Sequence, residues 1–126
     1  MMQYRNVTYK DADFLYKLLQ SRESWENISH LCMPTFNDHS EFVRNHPYKL
    51  WQIVSYYEDI GSVYITYRDE LAIWLERWCE WHFLEILKNF LRPGIFYNVN
   101  PENKRLIKLL KSQNFELMQK TYIYGK

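Results

Sequence analysis

The sequence predicts one α+β domain, and three observations carry that expectation. Its 126 residues are enough for a single core and few for two. Apolar residues alternate between a spacing of two and a spacing of three to four along the chain, the marks of strands and helices. The middle of the chain holds three successive strand-like runs separated by turn residues, which is an antiparallel meander. The predicted order is strand, two helices, three strands, helix, strand, helix, strand, without internal repeat or linker.

Residues 2–8 form the first strand. Asp11 is placed to cap a helix in which Phe14, Leu15, Leu18 and Leu19 share one face, ending near Arg22. A less regular stretch with Trp25, His30, Cys32 and Pro34 follows. Asn37 or Asp38 then caps a second helix through Arg44, stopped by Pro47. Runs 51–57 and 60–67 are strands, and Arg68-Asp69 turns the chain into a third at 70–75. Over 80–91, His82, Glu85, Lys88, Asn89 and Arg92 recur three or four apart, giving a helix with one wet stripe, and Pro93-Gly94 ends it. A strand at 95–99 leads through Pro101 to a helix that buries Leu106, Leu109 and Leu110. Residues 115–124 form a last strand, expected either between other strands or paired with a second protomer, because an open edge invites association.

Composition excludes several function classes. A formal net charge of +1 provides no field to recruit nucleic acid or an anionic membrane. No run approaches the roughly 18 apolar residues of a membrane span, and the opening MMQYRN lacks the apolar core of a secretion signal. Cys32 and Cys79 make neither a disulfide framework nor a metal-ligand spacing, and no metal is expected. A reduced, cytoplasmic setting follows. The aromatic fraction of 18%, with 11 Tyr and 5 Trp, stands out. Such side chains fill cores and strand faces, and they also stack on ligand rings.

The segment NPENKRLIKLLKSQNF near the C-terminus, taken with this element order, resembles the GNAT superfamily of acyl-CoA-dependent N-acyltransferases. Asn103 matches the family's Asn, and Phe115 its closing Phe. The stretch WENISHLCMPTFNDHSEFVRNHPYKLWQIV with IGSVYIT and DELAIWL looks more narrowly like small bacterial members that acetylate amino-sugars or are unassigned. The resemblance spans essentially the whole chain and implies a mixed, mostly antiparallel sheet flanked by helices. Departures accompany the matches. Where the family has a glycine-rich loop whose backbone N–H groups hold the CoA pyrophosphate, this chain has LERWCEWHF, with no glycine and with Trp78 and Trp81 at positions expected to be small. Leu110 stands where many members carry a Tyr that protonates the departing thiolate, and Leu106 where the family prefers Ala. Asn114 replaces a Gly, a mild change because Asn tolerates the left-handed conformation.

Two functions of different classes follow. One is acetyl transfer from acetyl-CoA to a primary amine of a small molecule or amino-sugar. The other is a binding or assembly module that keeps the fold without CoA. Under the first, the resemblance implies Glu70 as the base that takes the amine's proton. It further implies Leu75, Arg77, Trp78, Cys79 and Asn103 at the cofactor, and Trp25 and His30 at the substrate. Each has an ordinary alternative: Glu70 as a turn-flanking carboxylate, His30 as a loop histidine, Cys79 as an inert buried thiol. A homodimer is the expectation where the last strand pairs with a second protomer rather than lying between other strands. A cavity between the fourth and fifth strands would favour the enzyme, and Trp78 or Trp81 filling it would favour the module.

Overall fold

The computed structural model describes residues 1–28 and 32–125. The chain folds in the order β1 (Gln3–Asn6), α1 (Ala12–Gln20), α2 (Phe36–Asn45), β2 (Leu50–Tyr56), β3 (Glu58–Ile65), β4 (Glu70–Leu75), α3 (Glu80–Phe90), β5 (Phe96–Tyr97) and α4 (Lys104–Ser112). Short 3-10 turns at Tyr9–Asp11 and Ser24–Glu26 bracket α1. The sheet order is β1-β2-β3-β4-β5; the first three pairings are antiparallel and β4-β5 is parallel. The domain is therefore the mixed, mostly antiparallel α+β architecture that the sequence predicts.

Two cores sit on opposite faces of the sheet. On one face Val54, Val63, Ile65, Leu71 and Ile73 pack with Phe83, Ile86 and Leu87 of α3 and Leu106, Leu109 and Leu110 of α4. On the other, Trp51 and Ile53 pack with Leu15 and Leu18 of α1 and Val43 of α2. The alternation of side chains along β4 sends Ile73 to the first face and Trp74 to the second.

Helix ends follow local chemistry, with two shifts from the sequence reading. The α2 cap is Thr35, whose Oγ1 accepts the Asp38 N–H at 3.1 Å, rather than Asn37 or Asp38. Its other end stops at His46, whose left-handed backbone (φ 47°) terminates the helix one residue before Pro47. Asp11 sits at the N-cap position of α1 but makes no side-chain capping bond there; its carboxylate instead accepts the Thr8 N–H at 2.9 Å in the capping box of the preceding 3-10 turn. Asn103 caps α4 by accepting the Leu106 N–H at 3.3 Å.

Residues 115–124 do not form the expected last strand; after α4 the described chain has no strand pairing. The reason lies in what precedes it. β5 is only two residues long and gives a following strand almost no ladder to pair with. Leu117, Met118, Tyr122, Ile123 and Tyr124 are consequently exposed.

Candidate functional site

The parallel pair β4-β5 holds together for only two rungs, Glu70↔Phe96 and Leu71↔Tyr97, and then opens. Bonds from Thr66 N–H to the Glu70 carbonyl and from Glu76 N–H to the Ile60 carbonyl turn the even-numbered peptide groups of β4 toward β3. The odd-numbered ones, Ile73 and Leu75, therefore face the opening. Tyr97 closes its apex. The phenol oxygen accepts the Ile73 N–H at 3.0 Å and donates to the Ile73 carbonyl at 3.3 Å, so one side chain serves both groups of a residue that has lost its strand partner. Burial pushes the Tyr97 pKa far above that of a free tyrosine, with the backbone bonds to Ile73 opposing, so the phenol stays protonated at any neutral pH.

Beyond Tyr97 the opening widens into a cleft of about 250 Å³. Ile73 to Glu76 line one side and Tyr97 to Asn100 the other, while Trp25 and Glu26 close it from the segment after α1. The Asn100 side-chain amide donates to the Asn27 carbonyl at 2.8 Å, tying the β5-α4 loop to that segment. Trp78 forms a wall: it packs on Phe83 (ring centroids 5.2 Å apart), and the Arg105 guanidinium lies 4.1 Å above its ring and 5.5 Å from that of Trp25. The tryptophan thus narrows the cleft without filling it. Trp81 is 52% exposed and packs edge-on against Tyr56 and at a tilt against His82 instead.

A second chamber of about 270 Å³ lies on the α1/α2 face of the sheet. Cross-strand pairs Trp51↔Tyr64 and Ser62↔Trp74 make its floor, and Leu15, Leu18 and Leu19 of α1 its roof. Tyr48 stacks parallel on Tyr64 at 3.9 Å. Both cavities are lined by Arg22, Ile28 and Trp74, where they meet, and the Arg22 guanidinium carbon lies 3.5 Å above the Trp74 ring.

Of the residues singled out from the sequence, Trp25, Leu75, Trp78 and Asn103 line the cleft. Arg77 and Cys79 do not; Arg77 is exposed, and Cys79 occupies the N-cap position of α3 without a side-chain capping bond. Glu70 stands at the closed end of the strand pair, outside the cleft lining. Both its oxygens are engaged, Oε1 by the Thr66 hydroxyl at 2.9 Å and Oε2 by the Asn98 amide at 2.7 Å. The carboxylates that do line the cleft are Glu23, Glu26 and Glu76. His30 lies outside the described residues. Sequence reasoning missed Arg22 and Tyr97. An arginine at a helix C-terminus ordinarily complements the helix dipole from solvent, and a tyrosine in a strand is ordinary filling, so neither carries a local signal.

Comparison with solved structures places the fold. An acetyltransferase from Thermus thermophilus matches with a TM-score of 0.67 at 18% identity, covering 92% of this chain and 87% of that one. An acetyltransferase of the GNAT family from Streptococcus pneumoniae matches with 0.61 at 17% identity, covering 100% and 93%. A domain from Methanocaldococcus jannaschii matches with 0.68 at 16% identity, covering 96% and 92%. No protein-family model and no curated protein matches the sequence. The fold is GNAT-like, as the sequence motifs imply.

Proposed function

We propose that the protein is an N-acyltransferase that moves acetyl from acetyl-CoA to a primary amine of a small molecule. The observation that carries this reading is the open cleft between β4 and β5, with the Leu75 peptide group turned into it. A strand edge that faces a cavity is a place where an extended chain with amides, such as a pantetheine arm, can add as a further strand. When bound, acetyl-CoA would supply the acetyl group as an activated thioester.

This chain's residues fit the two ends of such a donor unequally. The Leu75 N–H and C=O suit the arm. At the phosphate end, α3 begins without a side-chain cap, which leaves first-turn N–H groups for an anion. Yet Glu76 and Glu80 flank that same end, and Trp78 stands where a close backbone approach would need glycine. Two or three charged hydrogen bonds lost there cost on the order of 5 kcal/mol, enough to turn micromolar binding into millimolar. On the acceptor side, Glu70 acts through Asn98, whose amide it holds and whose side chain borders the cleft. Glu23, Glu26 and Glu76 line the cleft directly, Glu26 with Oε1 accepting the Glu23 N–H at 2.8 Å, and are the carboxylates placed to take a proton from an amine.

Calorimetric titration with acetyl-CoA and with CoA tests the reading. Saturable binding, even at about millimolar strength, supports it and justifies screening amines for turnover. No heat at several times that concentration removes the donor. The second reading, a module that keeps the fold without CoA, is favoured by Glu76, Glu80 and Trp78 and gains from that outcome.

A further inference from the structure

We propose that the acceptor is an amine that also carries a carboxylate and an apolar body, the class of apolar α-amino acids, with its carboxylate held by Arg22. This rests on the acyltransferase reading and names its substrate class.

The argument begins with a cation that lacks an anion. Among the described residues, Arg22 has no ion pair and its side chain makes no hydrogen bond; its Nε is buried and unpartnered. A stack on Trp74 is its one described contact of strength. Burial lowers its pKa, with Glu26 and three tyrosines pulling the other way from a distance. A desolvated guanidinium without a carboxylate is unfavourable in the free protein, and a bidentate oxyanion is the ligand whose geometry it matches.

Its surroundings point the same way. The indole Nε1 groups of Trp74 and Trp51 are also buried without a partner, and both tryptophans line the chamber beside Arg22. The Tyr48 and Tyr64 phenols add two hydroxyls. The unpartnered groups of Arg22, Trp51 and Trp74 are all donors, and Asp38 is the one carboxylate among the described residues lining the chamber, on an exposed residue. Apart from Ser62 and His39, the remaining lining is aliphatic and aromatic, which suits a hydrocarbon side chain better than a sugar. Because Arg22 and Trp74 border both cavities, an anion on Arg22 with its body in the chamber leaves an adjacent amine at the cleft, beside Leu75 and the Glu26 and Glu76 carboxylates.

Tryptophan fluorescence of the full chain, titrated without acetyl-CoA, tests this. The probes are L-phenylalanine, 3-phenylpropionate, 2-phenylethylamine and glucosamine 6-phosphate. The two aromatic carboxylates are expected to bind about tenfold or more tighter than 2-phenylethylamine. Arg22→Met is expected to erase that preference without changing 2-phenylethylamine affinity, and to melt at or above the wild-type temperature because it removes an unpaired buried charge. Arg22→Lys is expected to keep part of the preference, having the charge without the planar fork. Equal binding of 2-phenylethylamine, a preference that survives Arg22→Met, a markedly lower melting temperature for that variant, tighter binding of glucosamine 6-phosphate, or no saturation by any probe would each overturn the proposal. Since no donor is present, failure here leaves the calorimetric test of the acetyl-CoA site untouched, whereas failure there would leave Arg22 as a carboxylate-binding site and remove its reading as an acceptor site.

Discussion

Replacing Tyr97 by Phe isolates the contact that holds the apex of the split strands. The ring stays, so the packing against Phe83 at 6.0 Å is kept and no cavity term enters. What is lost is the hydroxyl that accepts from Ile73 N–H and donates to its carbonyl. Ile73 is buried, so both peptide groups are left without a partner. An unsatisfied buried polar group costs about 1–3 kcal/mol. The bond to the carbonyl is the longer and weaker of the two, so the sum is expected at about 2–3 kcal/mol. For a domain of this size each kcal/mol lowers the melting temperature by roughly 3–5 °C, giving a fall of roughly 6–15 °C in calorimetry. Urea titration with an unchanged slope would assign the loss to stability alone. The opposite sign is expected for the donor: with Ile73 N–H freed, the cleft gains a rung and acetyl-CoA affinity rises severalfold, about 1 kcal/mol for one hydrogen bond. A loss below about 0.5 kcal/mol would refute the reasoning, since it would mean the hydroxyl satisfies nothing that water from the cleft does not.

Other predictions follow from the same contacts. Gly61→Ala is expected to destabilise by about 2–4 kcal/mol, since a Cβ there would collide with the Trp74 carbonyl oxygen of the neighbouring strand; an unchanged urea midpoint would count against that close approach. Burial raises the Tyr48 and Tyr97 pKa values, for Tyr48 with Tyr64 adding to the effect. The unfolded chain therefore ionises first: stability from these two phenols is whole below about pH 10 and falls above it, by up to about 1.4 kcal/mol per pH unit for each. Denaturant midpoints that stay flat to about pH 11 would contradict their burial. Deleting residues 116–126 is expected to leave the melting temperature within about 2 °C, since residues 116–125 are exposed and unpaired. If the exposed Leu117, Met118 and Ile123 pair with a second copy, light scattering of the full chain will show a dimer that the deletion abolishes. A strictly monomeric full chain would remove that pairing.

The sequence by itself determined the architecture. Periodicity and turn residues located every helix and the first five strands, because α3 and α4 each carry an apolar stripe and β2 to β4 each fill a buried ladder. Asn103 and Leu75, singled out through the motif around α4 and through strand order, both line the cleft. The last strand was misread because the β propensity of TYIY is real, while a strand also needs an edge to pair with, and a two-residue β5 supplies little. Cap choice went to Thr35 over Asn37 and Asp38 because geometry, one turn ahead of the first free N–H groups, decides among similar side chains. The candidate site was legible as a region and illegible in its parts. Glu70 has the chemistry of a base, yet the register Glu70↔Phe96 puts it at the closed end of the pair, where Thr66 and Asn98 take its oxygens. Arg22 has the sequence context of a solvated helix end, yet the chain turning after α1 lays it over Trp74, from a strand far along the sequence. Neighbours along the chain fix periodicity, and periodicity fixes elements. Partners for Tyr97, Arg22 and Glu70 come from other elements, so only tertiary packing could decide what those side chains touch.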